Sequence, residues 1–455
     1  MVTGSGGREH AIAWKLAQSE LVDEVVCVPG NGGTAFEKKC RNVNPEDFCD
    51  RAFSEAKGVS LLTAASVRIA KSERVDLAVI GPEDPLAEGI ADFLREEGIP
   101  TAGASAKAAR LEADKDFAKS FMKKYGVACA DSETFSSKDE AIEEARKRFS
   151  LSDEPLVIKA SGLAAGKGVI IVKSMEEAQS AIASLMDGSL GEAGRRVLIE
   201  DYLRGRELSV LAAVSTTEDL LGRPLACVMP FLPARDHKRL LEGGEGPNTG
   251  GMGAICPTGD ETAEFLKDFS MNVYKPTIKG IEEEGLDYRG FIFFGLMLTS
   301  SGVKVLEYNA RLGDPETQAV LPLMESDFAL LCQRIAEGHL NGFRLTWKQG
   351  FQVAPVAVSK GYPGSYEKGK PISIAFDEVE KNFGKVFIAG AQAAPSSTSK
   401  KPLLMTSGGR VLCCSCFSAT LDEAREKAYS ALNSIHFEGM QFRGDIGEPG
   451  AAESK

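Results

Sequence analysis

The chain has 455 residues, 43% of them hydrophobic and 26% charged, with a formal net charge of −12. Its length predicts roughly two to four domains, and its acidic balance excludes a broad nucleic-acid-binding surface while leaving room for a local basic pocket. No apolar run of about 18 residues and no basic-then-apolar leader is present, so no membrane partner is expected and the expected location is the cytoplasm.

From the amino end, MVTGSGG reads as a short strand and turn, and REHAIAWKLAQSE as a helix. EVVCVPG is a strand ending in NGG, residues 63–73 a helix, VDLAVIG a strand, LAEGIADFLREEG one helix and IPTAGA a short strand. This alternation predicts a parallel sheet with helices on both faces and ligands at the carboxyl ends of its strands. Two segments stand there: Gly4 to His10, and Gly81 to Pro85 with Glu83. Gly4, Gly6 and Gly7 before a helix suit a single phosphate, although a plain tight turn fits equally. The dinucleotide fingerprint fails, because its third glycine falls on Glu9. The first strand is short for a sheet core, so a few residues are read as missing or variant there.

Residues 107–125 read as one charged helical region containing Lys115, and 138–149 as another helix. VIKASGLAAGKGVIIVK follows, two β-branched runs around the loop Ser161 to Gly168. Glycines let backbone N–H groups approach phosphate oxygens, and Lys159 and Lys167 supply charge. The spacing is not that of a Walker A loop, and Gly168 stands where its Ser or Thr belongs. Alone, the loop is equally a hairpin tip that binds nothing.

A helix over 175–187 leads to RRVLIEDYL, a strand running into a connector. Its backbone can read an adenine edge and Glu207 can accept ribose hydroxyls, though acidic residues after strands are common. LSVLAAVS and LACVMPFLPA predict antiparallel strands. Asp236-His237-Lys238-Arg239 offers donors to an anion and a carboxylate to an amine, with His237 on its own read as structural. The stretch Gly243 to Gly253 is too glycine-rich for a helix or a central strand and is expected to be a loop.

FIFFGLMLTSSGVKVLEYNARLGDPE predicts a strand, a turn at Ser300–Gly302 and a second strand. Simple alternation puts Val305, Glu307 and Asn309 on one face. Glu and Asn oxygens so placed suit Mg²⁺, a hard cation that keeps waters and bridges to phosphates, and Arg311 adds a guanidinium for phosphate or carboxylate. A solvated strand end with ordinary surface charges is the competing reading. Residues 326–338 are helical, a β-rich section begins near 350, and a helix covers 420–433. In RVLCCSCF, alternation puts Cys414 and Cys416 on one face and Cys413 on the other, as buried thiols rather than a zinc site. APSSTSKK reads as an exposed loop and the last residues as a frayed tail.

In this order, the segments GGREHAIAWKLAQS, PGNGGTA, GPEDPLAEGI, VIKASGLAAGKGV, DHKR, GPNTGGMGA, EYNARLGDPETQ, KGYPGSYEKG and SGGRVLCC resemble the phosphoribosylamine–glycine ligases of the ATP-grasp superfamily. The resemblance spans about residues 2 to 447. It implies an α/β and α+β multidomain fold: an N-terminal parallel α/β domain (1–106), an ATP-grasp core (107–129 and 200–344) with a small lid (130–199), a C-terminal β-rich domain (345–447) and a tail (448–455). It implies ligation of glycine to 5-phosphoribosylamine with ATP, through glycyl phosphate. Lys115, Lys159, Gly166, Lys167 and Gly168 would meet ATP phosphates, Glu200, Tyr202 and Leu203 adenine, and Glu207 the ribose. Glu307 and Asn309 would hold Mg²⁺ or Mn²⁺. Arg311, Lys238 and Asp314 would be catalytic. Gly6, Gly7, Glu83, Asp236, Asn248 and Gly250 would bind the amino sugar phosphate. Other purine-pathway enzymes, to which such ligases are fused in some organisms, are implied partners.

Ser5, Ser161 and Ala310 depart from the family's usual Asn, Asp and Cys, and the first departure unsettles the phosphate contacts of the first turn. The alternatives are another ATP-grasp carboxylate ligase or carboxylase, which the GPNTGGMG segment argues against, and a non-catalytic ATP-binding module. The module would have lost metal ligands or lysines, yet Lys159, Lys167, Glu307 and Asn309 are present.

Overall fold

The computed structural model describes residues 1–164, 168–394 and 403–448. Five short strands run parallel, in the spatial order Cys40–Asn42, Val25–Pro29, Val2–Gly4, Ala78–Ile80 and Thr101–Ala104. Their apolar runs are buried on both sides, as a parallel sheet requires. The helix Gly7–Ala17 packs Ile12 and Leu16 into one core, while Leu61–Ser72 and Ile90–Glu96 place Ile69 and Leu94 in the other.

The sheet does not stop there. Tyr288 and Arg289, at the start of the long strand Tyr288–Thr299, pair antiparallel with Ala104 and Gly103. Further along, the same strand pairs with Arg206–Glu218 on one side and Gly302–Asn309 on the other. A single nine-stranded sheet therefore joins the first hundred residues to the middle of the chain.

A separate four-stranded antiparallel sheet has the order Ser132–Phe135, Val197–Asp201, Leu156–Ala160, Val169–Val172. It is covered by the helices Lys138–Leu151 and Met175–Leu185, and Ala141, Ile158, Ile182 and Ile199 make a core of its own. Cutting Ile158 or Ile199 to alanine there is expected to cost about 2–5 kcal/mol. The third large sheet runs Arg235–Asp236, Gly253–Cys256, Phe351–Ser359, Arg410–Ser418, Gly384–Ile388. In it Cys414 and Cys416 enter one core and Cys413 another, as alternation predicts.

Four expectations need correction. LAEGIADFLREEG is not one helix: Gly89 takes a left-handed φ of 88° and separates Glu83–Ala87 from Ile90–Glu96. The region 107–125 is two helices, Ala106–Ala113 and Lys115–Tyr125, because Asp114 is extended and accepts the Phe117 N–H as cap of the second. That break makes Lys115 the first residue of a helix. The segment Gly243–Gly253 is not all loop: Glu245–Asn248 pairs with Arg239–Leu241, and Gly253 opens a strand in the middle of the third sheet. Finally, Leu306 is an extra residue in its ladder, since Gly295 faces Glu307 while Leu296 faces Val305. The bulge reverses the alternation. Val305 shares its core with Tyr308 and Ala310, and Glu307 and Asn309 lie on the opposite face.

Candidate active site

Lys159 lies one residue before the end of the strand Leu156–Ala160, and Glu200 lies on the neighbouring strand. Their Nζ and Oε2 atoms are 2.9 Å apart, and Lys119 reaches the same oxygen at 3.2 Å. Burial pushes the Glu200 carboxyl up, but Lys159 and Lys119 together outweigh it and hold it ionised. The carboxylate expected at the adenine edge is thus committed to two lysines. Lys115 donates from Nζ to the Gly162 carbonyl at 2.8 Å, and its backbone N–H donates to the Ser161 carbonyl. The start of the glycine loop is thereby fastened to a helix N-terminus. Gly168 closes the loop, its carbonyl accepting the Ala160 N–H at 2.8 Å, while Gly166 and Lys167 lie outside the described residues. Tyr202 and Leu203 occupy the irregular connector after Asp201, with the Arg204 guanidinium over the Tyr202 ring.

Across from the lysines stands Glu307. Burial raises its carboxyl, but Lys238, Lys159, Lys115 and Arg311, in falling order, lower it further. Asn309 Oδ1 accepts from Arg311 Nη1 at 3.2 Å. One carboxylate and one amide oxygen on the same strand face form a donor set that suits Mg²⁺ or Mn²⁺. Among the described residues no three His, Cys, Asp or Glu side chains converge as a closed metal cage.

A chain of alternating charges leads from that strand to the first turn. Arg311 meets Glu112 at 2.8 Å and Glu83 at 3.2 Å. Glu83 also faces Arg8 at 3.7 Å, and Arg8 meets Glu9 at 2.6 Å. Burial raises the Glu83 carboxyl, yet Arg311 and Arg8 hold it at about 2. Glu112, which also accepts the Ala310 N–H at 2.7 Å, is raised by burial to about 7 against the pull of Arg311. Glu9 accepts the Gly6 N–H at 2.6 Å and nests against Gly4, whose φ of 117° leaves no space for a Cβ. Within the turn, that bond occupies the Gly6 N–H. Asn31 Nδ2 donates to the Ser5, Gly6 and Ile388 carbonyls and pins the turn to the third sheet.

The remaining candidates gather where the third sheet meets the first. Asp314 accepts from Gln318 at 2.8 Å and faces Arg410 at 3.3 Å. Burial raises its carboxyl, but Arg410 and Arg8 bring it below its ordinary value. Arg410 also donates to the Gly250 carbonyl, and the Gly250 N–H donates to Tyr362 Oη at 2.9 Å. Gly7 lies beside Gln318. Lys238 and Glu207 pair at 2.8 Å. Asp236 is pushed well up, first by burial and then by Glu316, and its Oδ1 has no hydrogen-bond partner among the described residues. Asn248 stands exposed on its hairpin opposite Arg239 and joins none of these contacts.

Three family models match the chain: the N domain (residues 1–112), ATP-grasp (A) domain (113–317) and C domain (352–449) of phosphoribosylglycinamide synthetase. The chain belongs to the phosphoribosylamine–glycine ligase family. It is similar to the Clostridium acetobutylicum phosphoribosylamine–glycine ligase, 43% identical over 98% of this chain and 99% of that one. It is 43% identical to part of the bovine trifunctional purine biosynthetic protein adenosine-3, matching 98% of this chain and 41% of the bovine one. A crystal structure of the Thermotoga maritima ligase superposes with a TM-score of 0.76 at 34% identity, covering 98% and 99% of the two chains. No described helix of this chain is long and apolar enough to cross a membrane.

Sequence reasoning missed Arg8, Glu9, Asn31, Glu112, Lys119, Tyr362 and Arg410. Signals existed for some. Lys119 follows Lys115 by four residues, one turn on the same helix face. Arg8, Glu9, Asn31, Tyr362 and Arg410 lie inside the segments that carry the family resemblance. Glu112 carries no signal, since its importance comes only from its distant partner Arg311.

Proposed function

We propose that this chain joins glycine to 5-phosphoribosylamine, giving glycinamide ribonucleotide, ADP and phosphate. A glycine carboxylate oxygen attacks the γ-phosphorus of ATP, ADP leaves, and glycyl phosphate forms. The amine nitrogen of phosphoribosylamine then attacks the glycyl carbonyl carbon, the carbon–oxygen bond to phosphate breaks, and phosphate and one amine proton leave. No protein nucleophile is required, so the chain's work is positioning and charge stabilisation. The observation that carries this reading is that cations flank the strand bearing Glu307 and Asn309: Lys159 donates to the Leu306 carbonyl at 3.3 Å and Arg311 to Asn309 Oδ1 at 3.2 Å.

In this reading Lys115 and Lys159 neutralise ATP phosphates beneath the 161–168 loop, and the connector at Tyr202 and Leu203 faces adenine. Glu207, released from Lys238, takes the ribose. Glu307 and Asn309 would hold a divalent cation, which supplies positive charge to the phosphate oxygens. Arg311 orients the carboxylate or the transferred phosphoryl group. Gly7, Glu83, Asp236, Asp314 and Gly250 line the amino sugar side. Residues 130–199 act as a lid over the core 107–129 and 200–344, with 1–106 and 345–447 flanking it. The separate core of the four-stranded sheet supports that division. The trifunctional bovine relative supports other purine enzymes as partners.

ADP release measured with each substrate omitted tests the reaction. Turnover is expected only with ATP, glycine and phosphoribosylamine together. Turnover with bicarbonate and not with glycine would instead identify a carboxylase, and ATP binding without turnover under any pair a non-catalytic module.

A further inference from the structure

Lys119 is the cation that the proposed reaction leaves without a task. It lies in the helix Lys115–Tyr125, one turn beyond Lys115. Its ammonium and that of Lys159 share Glu200 Oε2, at 3.2 and 2.9 Å, and the Lys119, Glu200 and Lys159 side chains are 6%, 4% and 9% exposed. The other oxygen, Oε1, has no hydrogen-bond partner among the described residues. Two buried cations thus meet one buried anion. Lys159 also donates to the Leu306 carbonyl at 3.3 Å, next to Glu307. Its ammonium therefore stands between Glu200 and the face where the triphosphate is proposed to lie.

We infer that Lys119 is a positioning residue for ATP: it keeps Glu200 neutralised, so that Lys159 can turn to the triphosphate without stranding a buried carboxylate. A buried anion stripped of its only partner is strongly unfavourable. With Lys119 in place, Lys159 exchanges one anion for another while Glu200 keeps a cation. Without it, Lys159 must serve Glu200 and phosphate in competition. Lysine suits the task, being a compact charge on a flexible stem. The inference rests on the assignment of Lys159 to ATP phosphates.

Calorimetric titration with ATP and with AMP, both without glycine, tests it on the full chain. Lys119→Met is expected to weaken ATP binding about tenfold while AMP changes less than about twofold, the former being one pKa unit's worth of charge interaction. Adding Glu200→Gln to Lys119→Met removes the competing anion and is expected to bring ATP affinity back to within about threefold of the parent. Equal losses for ATP and AMP, or no recovery in the double variant, would overturn the inference. Should Lys119→Met not fold, Glu200→Gln alone is decisive: the ratio of ATP to AMP affinity is expected to rise, and an unchanged or lower ratio would reject the role. Lys159→Met separates the two layers. If it leaves the ATP to AMP ratio unchanged, the phosphate assignment itself fails; if it lowers that ratio while Lys119→Met does not, only the role of Lys119 fails.

Discussion

The two sides of the site handle charge differently. On the lysine side, the ammonium groups of Lys119 and Lys159 share one oxygen of Glu200. On the arginine side, carboxylates and guanidinium groups alternate through Glu9, Arg8, Glu83, Arg311 and Glu112. Guanidinium is planar with several fixed donors, so a chain of this kind fixes geometry. Ammonium is a point charge that exchanges partners. In the proposed function the lysine side receives an anion, while the arginine side ties the strand bearing Glu307 and Asn309 to the first turn.

Four substitutions break or sharpen that contrast, the largest effect first. Glu307→Gln removes the anion on which four cations converge. We expect kcat to fall about 1,000-fold, on the scale of losing a preorganised electrostatic group. Steady-state ADP release at saturating substrates reads this, and activity within tenfold of the parent would remove Glu307 from the centre of the site.

Arg311→Lys tests the rigid side. One ammonium cannot bridge Glu83, Glu112 and Asn309 together. A kcat loss of about 100-fold and a lower melting temperature are expected, because buried carboxylates lose their partner. If lysine serves as well as arginine in both assays, fixed geometry is not what this side supplies.

Glu112→Gln is milder, since an amide oxygen can still accept the Ala310 N–H. About a tenfold lower kcat with an unchanged KM for ATP is expected if the carboxylate only orients Arg311, roughly the worth of one charge-assisted hydrogen bond. A change confined to KM would move Glu112 to the nucleotide side.

The smallest effect on catalysis belongs to His237, between Asp236 and Lys238. It is buried, its Nδ1–H directed to the Gly253 carbonyl at 3.2 Å. Burial, helped by Arg443, lowers its pKa from 6.5 to about 4. In that window the unfolded chain binds the extra proton, so stability falls as pH drops from about 6.5 to about 4 and the loss is complete below that. The shift corresponds to about 3 kcal/mol. Denaturant unfolding across this range checks it: His237→Gln should flatten the curve in this window relative to the parent, and curves of equal slope would mean the buried imidazole is not the cause.

Element types were legible wherever apolar periodicity ran uninterrupted. The helix Leu421–Leu432 and the alternating strand around Cys413 to Cys416 are examples. Breaks were harder to see. Asp114 reads as one more charge in a charged helix until its side chain caps the next one. The bulge at Leu306 follows the same logic: alternation is a property of one strand, but a bulge exists only against a partner, here Tyr288–Thr299.

By itself the sequence determined which kinds of side chain were present: Lys115 and Lys159 as point charges, Glu307 and Asn309 as hard oxygen donors, and glycine-rich turns that allow close backbone approach. Those properties reside in single side chains and their near neighbours along the chain. Only the tertiary structure decided which charges share an atom. Lys119 and Lys159 meet on one oxygen of Glu200, and Glu112 and Arg311 meet from segments about two hundred residues apart. Coulomb energy depends on distance and burial, and both are set by packing between segments rather than by order along the chain.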